Sequence, residues 1–157
     1  MVLLSQTTEY ALRAMVQLAT VQATAGTAVE VQAVLQTAPE IAEAMQVPRN
    51  YLSKVLQQLV RAGLVNSNRG VGGGFSLTRD PSVTTVYDVV QAVDPIERLT
   101  GCPLNLPAHA RRLCPMHTRL DRATAAIEEQ FRSSTIDELI DNPRNTDRRR
   151  LGARPAD

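Results

Sequence analysis

The chain has 157 residues, a formal net charge of +1, 43% hydrophobic and 21% charged residues, and only five aromatic residues. This composition is typical of one globular domain with an aliphatic core, and it argues against a disordered chain. No segment approaches the roughly 20 apolar residues of a membrane span, and no basic stretch precedes an apolar one at the N-terminus, so we expect a cytoplasmic protein without a secretory signal.

The first third of the chain predicts two helices separated by a long loop. Apolar residues at helical spacing after Ser5 predict a helix over residues 6–20, and the small polar residues that follow predict a loop over 21–32. Residues 33–37 read as a short strand. A short helix over 40–45 then begins near Thr37 or Ala38, with Pro39 in its first turn.

The next segment predicts an amphipathic helix followed by a hairpin. After Pro48, apolar residues recur at i, i+3, i+4, i+7 and i+8 from Leu52 to Val60, and Gly63 suits the left-handed residue that ends a helix. Two short strands, 64–68 and 75–78, are joined by a glycine-rich segment. This order predicts a mainly α fold, a winged helix-turn-helix with a two- or three-stranded wing.

The C-terminal half predicts a helix, a constrained loop and a long helix. Thr84 or Thr85 begins a helix that stops at Asp94, and residues 101–115 contain three prolines and both cysteines. Thr135 and Glu138 form a predicted capping box over a short terminal helix, and the polar tail from residue 142 is expected to be disordered. The long helix between them carries one apolar stripe: Met116, Leu120, Ala123, Ile127 and Phe131.

The charge distribution indicates a surface for nucleic acid. Residues 44–79 contain five basic residues and no acidic ones. A polar stripe on the helix after Pro48 offers groups that suit base edges and phosphates, whereas the alternative is a solvated face. Arg69 and Gly70, at the hairpin tip, suit a minor groove. The stripe and its flanking residues are Arg49, Asn50, Tyr51, Ser53, Lys54 and Gln57.

Two alternatives, a nucleotide-binding loop and an enzyme, are disfavoured. Gly70-x-Gly72-x-Gly74 resembles half of a dinucleotide fingerprint, but no helix begins after it and no Gly-Lys-Ser/Thr is present. The sequence also shows no recognisable arrangement of a nucleophile with a base, so we expect that the protein is not an enzyme.

The cysteine loop is a candidate metal or redox site. Cys102, Cys114 and His117, with His109 between the cysteines, could hold an iron–sulfur cluster, although such a cluster normally takes about four ligands. Zinc fits less well, because structural zinc sites usually pair cysteines two to four residues apart. The spacing by itself favours inert or disulfide-forming thiols with surface histidines.

The chain as a whole resembles the bacterial IscR/NsrR/RirA family of winged-helix transcription regulators, over about residues 4–141. The resemblance rests on motifs that occur in this order: Tyr10-Ala11-Leu12-Arg13-Ala14, Glu40-Ile41-Ala42-Glu43, Tyr51-Leu52-Ser53-Lys54-Val55-Leu56, Ala62-Gly63-Leu64-Val65, Arg69-Gly70-x-x-Gly73-Gly74-Phe75 and Asp88-Val89-Val90-x-Ala92-Val93.

The resemblance implies a homodimer, joined through the long helix, that binds palindromic operators in double-stranded DNA. It implies a cluster, [2Fe–2S] in preference to [4Fe–4S], with Cys102, Cys114, His117 and Glu9 as ligands. Ala108 stands where the family has its middle cysteine, and His109 is an alternative fourth ligand. For DNA binding it points to Arg49, Asn50, Tyr51, Ser53, Lys54, Arg69 and Gly70.

Two functional hypotheses follow. The first is a homodimeric repressor that senses redox state, nitric oxide or iron through a cluster; the alternative is a cluster-free regulator with a thiol switch or no cofactor. The expected division is a DNA-binding domain (1–95), a sensor loop (96–115), a dimerisation helix with a short terminal helix (116–141) and a tail (142–157).

Overall fold

The computed structural model describes residues 4–24, 35–102 and 113–140. The predictions for the loop at 25–32, residues 33–34, Ala108, His109 and the C-terminal tail lie outside these ranges. The helices are α1 (Gln6–Thr24), α2 (Ala38–Met45), α3 (Arg49–Arg61), α4 (Val86–Val93) and α5 (Pro115–Ser133), and the strands are β1 (Val65–Asn68) and β2 (Gly74–Leu77). Short 3₁₀ turns span Pro81–Val83 and Asp137–Leu139.

Helix α1 lies at the centre of the fold and packs against α2, α3, α4 and β2. Three of its fully buried residues are alanines, which let the neighbouring helices approach closely, while Met15 and Leu18 fill the space between them. The helix is four residues longer than the sequence predicted, because residues 21–24 continue it instead of beginning the loop.

Local capping determines where the short helices begin. Thr37, one of the two predicted start residues, forms a capping box with Glu40. Helix α2 then begins at Ala38, two residues before the predicted span of 40–45. Thr85 and Asp88 form the same arrangement at α4. At the predicted box the Thr135 N–H donates to the Glu138 carboxylate at 3.3 Å, and the predicted terminal helix is a single 3₁₀ turn.

The wing is a two-stranded antiparallel hairpin, β1 with β2. Of the predicted third strand, 33–37, the structure describes residues 35–37, where Gln36 and Phe75 form one bridge with backbone hydrogen bonds of 3.0 and 2.8 Å. Gly74 is required there, since a Cβ at this position would lie 2.7 Å from the Gln36 carbonyl oxygen. The wing thereby stays attached to the segment before α2.

The chain after α5 returns to the core of the winged helix-turn-helix. The Ile136 N–H donates to the Thr84 carbonyl and the Val86 N–H to the Ser134 carbonyl, both at 2.8 Å. Ile136 is fully buried and Ile140 is nearly so, within the core that α1 and α3 form. The C-terminal end of α5 is therefore fixed to the domain that carries α3.

None of the helices in the described ranges combines the length and apolar character needed to cross a bilayer.

We expect Ile136→Ala to lower the free energy of unfolding by about 2–5 kcal/mol, because the substitution leaves a cavity in the core. Leu139→Ala is the matched control: Leu139 is 41% exposed, so its loss should cost about 0.5 kcal/mol or less. Urea unfolding at a fixed protein concentration measures both. If both substitutions lowered the free energy of unfolding by the same small amount, the Ile136 side chain would not contribute to the core.

Candidate nucleic-acid interface and cysteine cluster

Helix α3 divides cleanly into a buried and an exposed face. Leu52, Val55, Leu56 and Leu59 are buried against the core. The predicted contact residues on this helix are all exposed: Arg49, Asn50, Tyr51, Ser53, Lys54 and Gln57. The helix thus presents the predicted polar stripe to solvent.

Two of these side chains have defined local contacts. The Ser53 hydroxyl donates to the Arg49 carbonyl at 3.0 Å, so in this rotamer it offers an acceptor to a ligand. The Tyr51 ring lies 6.1 Å from the ring of Tyr10 on α1, at an interplanar angle of 57°. Tyr51 is therefore supported from a second helix.

The tip of the wing is a tight turn with exposed residues on both sides. The Gly73 N–H donates to the Gly70 carbonyl at 3.0 Å, and Gly72 has φ +77°, the left-handed value that the third residue of a type II turn requires. Arg69 and Gly70 are both exposed. The tip can approach another molecule without rearrangement.

Cys102, Cys114 and His117 are brought together, although 15 residues separate the first from the last. The Sγ atoms of Cys102 and Cys114 lie 3.6 and 3.2 Å from the same atom, His117 Nδ1. His117 is 5% exposed, and both cysteines are half-buried and outside any disulfide. The two sulfurs thus flank one buried imidazole.

Glu9 does not join this group within the described residues. It is exposed in the first turn of α1, and no hydrogen bond or ion pair links it to the cysteines or to His117. In the same ranges, no three His, Cys, Asp or Glu side chains are placed to hold a metal ion.

An ion-pair network that the sequence analysis missed fastens the cysteine segment to α5. Arg98 donates to both oxygens of Asp121, at 2.7 and 2.6 Å, and the Leu99 N–H donates to the same carboxylate at 3.1 Å. Arg98 also lies 3.6 Å from Glu128. The available signal was that Asp121 and Glu128, seven residues apart, share one helical face, but nothing in the sequence selects Arg98 as their partner.

Arg98 lowers the pKa of Asp121 below its ordinary 3.8; partial burial opposes this effect, and the Leu99 N–H reinforces it. At the other end of α5, the guanidinium of Arg132 lies 3.4 Å above the ring of Tyr87 on α4. Both ends of α5 are therefore attached to residues that precede it in the chain.

Helix α5 carries an apolar stripe that the described part of the chain covers only in part. Met116 and Leu120 are about half exposed, Ala123 is exposed, and Ile127 and Phe131 are half-buried. Leu139 adds a further exposed leucine beyond the helix end.

A family model described as "Rrf2: Iron-dependent Transcriptional regulator" matches residues 4–142. Protein aau3 of Rhizobium meliloti (strain 1021) is 36% identical over 110 residues, which are 68% of this chain and 70% of that protein.

Two solved structures are similar over most of the chain. CymR, the global cysteine regulator of B. subtilis, is 26% identical with a TM-score of 0.63, covering 88% of this chain and 96% of that one. T. potens IscR is 21% identical with a TM-score of 0.66, covering 98% and 93%.

We expect Asp121→Asn to destabilise the protein most near neutral pH. Because the native pKa of Asp121 is lowered, its ionised form stabilises the fold above the ordinary value of 3.8, and this contribution disappears as the pH falls through the native value. Thermal unfolding of wild type and variant, from neutral pH to about pH 2, should therefore converge at the acid end. Glu129→Gln, an exposed carboxylate on the same helix, is the control. A difference that stays constant with pH would contradict the assignment.

Proposed function

Because the chain belongs to the Rrf2 family of DNA-binding transcriptional regulators, which are not enzymes, we propose that it is a homodimeric repressor that binds a palindromic operator in the cytoplasm. The observation that carries this proposal is the exposed polar face of α3 beside an exposed basic wing tip, in a 36-residue stretch (44–79) without a carboxylate.

The contacts with DNA follow from the shape of the two elements. An α-helix fits the major groove, where Asn50 and Ser53 reach base edges and Lys54 reaches guanine or phosphate. Arg49 and Tyr51, in the first turn of α3, suit backbone contacts. The glycine-flanked tip brings Arg69 into the neighbouring minor groove, whose narrow form attracts arginine.

The apolar stripe on α5 supports the homodimer. Met116 and Leu120 are half exposed in the single chain. In a homodimer the stripe that they begin would be buried against the same stripe of a second copy, as a two-fold interface requires. The division into DNA-binding domain, sensor loop (96–115) and dimerisation helix is part of this proposal. Two recognition helices about 34 Å apart then meet successive major grooves of one operator.

The sensor of this regulator is the group of Cys102, Cys114 and His117. Two thiols and one imidazole are donor types that suit a soft metal centre such as an iron–sulfur cluster. In the described residues the two sulfurs lie against the imidazole nitrogen, at 3.6 and 3.2 Å, and are not arranged around a metal position, so cluster binding would require these side chains to rearrange. These three donors are one short of the usual number, so Glu9 or His109 is the candidate fourth ligand. A bound cluster supplies the redox and nitric-oxide chemistry, and the description of the matched family as iron-dependent supports it.

A thiol switch is the second candidate, and the shared contact with His117 favours it. A Cys102–Cys114 disulfide would form when the two thiols give up two protons and two electrons to hydrogen peroxide, which becomes two water molecules. The sulfurs of Cys102 and Cys114 lie 3.6 and 3.2 Å from the same atom, His117 Nδ1. The distance between the two sulfurs therefore cannot exceed the sum of these two distances.

A change at the cysteines, whether in a bound cluster or through a disulfide, would be transmitted to α5 through few residues. Cys102 follows Arg98 by four residues, and Arg98 holds the Asp121 carboxylate on α5. Rearrangement at Cys102 would loosen or tighten this ion pair and shift the first part of α5. A shift there would change the spacing of the two recognition helices.

We expect Lys54→Ala and Arg69→Ala each to weaken DNA binding. Each lost phosphate contact should reduce the slope of log affinity against log salt by roughly 0.9. Fluorescence anisotropy with a labelled duplex at several salt concentrations measures both quantities. Arg122→Ala, an exposed arginine on α5, is the control. Wild-type affinity in both variants would refute this interface.

We expect protein purified without oxygen to contain iron and sulfide and to absorb visible light, and Cys114→Ser to lose all three. Colourless, iron-free wild-type protein that still binds DNA would exclude the cluster. Peroxide treatment followed by mass spectrometry then tests the second candidate: a Cys102–Cys114 bond supports it, and two unlinked cysteines contradict it.

A further inference from the structure

A line of contacts connects the exposed face of α3 to helix α1. Gln6, Tyr10 and Arg13 recur at i, i+4 and i+7, so they share one face of α1. The Gln6 amide donates to the Tyr10 hydroxyl at 2.9 Å, the Tyr10 ring contacts Tyr51 at 6.1 Å, and the Arg13 guanidinium carbon lies 6.0 Å from the centre of the Tyr10 ring.

In this line of contacts Tyr10 has a fixed position, whereas Arg13 has no ion-pair partner among the described residues. Tyr10 is half-buried and packs against the hydrophobic core, which fixes its position relative to α3. Arg13 is exposed, and no carboxylate within the described ranges pairs with it. Glu9 precedes it by one helical turn, but the two side chains form no ion pair. The guanidinium therefore carries an available positive charge beside the α3 surface.

The dimensions of a duplex indicate what this charge meets. A major groove is about 12 Å wide and an α-helix with side chains about 10 Å, so a helix in the groove has sugar–phosphate backbone on both sides. A cationic side chain separated from Tyr51 by the single ring of Tyr10 lies where that backbone passes. Arginine suits the role because it always carries a charge and binds phosphate through paired N–H groups.

We propose that Arg13 is a phosphate-binding residue that extends the DNA interface from α3 onto α1. This inference rests on the proposed mode of DNA binding. Tyr10 serves as the positioning residue, which holds the first turn of α3 and the stem of Arg13 in one arrangement.

The test is the salt dependence of binding to a fluorescein-labelled duplex of about 30 base pairs, long enough for two half-sites one helical turn apart. Arg13→Gln removes the charge and keeps most of the stem over Tyr10, whereas Arg13→Lys keeps the charge. Arg122→Ala, on the side of α5 away from Leu120, removes one positive charge elsewhere. Thermal unfolding and sedimentation confirm that each variant has the wild-type fold and oligomeric state.

We expect Arg13→Gln to reduce the log–log slope by roughly 0.9, so that the loss of affinity between 50 and 200 mM salt becomes about 3.5-fold smaller than in wild type. Arg13→Lys should restore the slope, and Arg122→Ala should leave it unchanged. A wild-type slope in Arg13→Gln, or an equal reduction in Arg122→Ala, would overturn the inference. Wild-type protein without affinity for any duplex would instead refute the proposed function itself.

Discussion

The burial of one face of α3 is the constraint on which the rest of the structure depends. Leu52, Val55, Leu56 and Leu59 leave water only if they face α1, and this fixes which side of the helix is exposed. Rotation of the helix by nearly half a turn would bring the Lys54 ammonium into the core without a partner, at a high cost in free energy. The hydrophobic effect thereby fixes the orientation of the polar face of α3, although the polar side chains themselves stay in water.

Helix α5 is attached to the winged helix-turn-helix at both ends, by interactions of different kinds. Its C-terminal end is held by Ile136, two backbone hydrogen bonds and the contact between Arg132 and Tyr87. Its N-terminal half is held by the partly exposed ion pair between Arg98 and Asp121, and Arg98 also lies 3.6 Å from Glu128 farther along the helix. Exposed ion pairs contribute little to stability compared with buried apolar side chains, so the N-terminal half is the end that a local chemical event can move.

This asymmetry gives the cysteine group a mechanical role. Cys102 belongs to the segment that Arg98 holds against α5, and Cys114 is the N-cap residue of α5. His117, one turn into the helix, contacts both sulfurs, so a change at either sulfur acts on the weaker attachment. The same placement serves a metal centre and a thiol switch.

The sequence by itself determined the winged helix-turn-helix fold, the polar stripe of α3 and the capping of α2 and α4, because helical periodicity and cap chemistry depend on residues only a few positions apart. It failed at the end of α1, where packing decides how far the helix continues. Only the tertiary structure brought Arg98 to Asp121 and the Tyr10 ring to Tyr51, and it alone returned Ile136 to the core. Arg98 and Asp121 are 23 residues apart, and the other partners are farther apart than that. No local pattern encodes such contacts, because the packing of the whole chain decides which distant side chains meet.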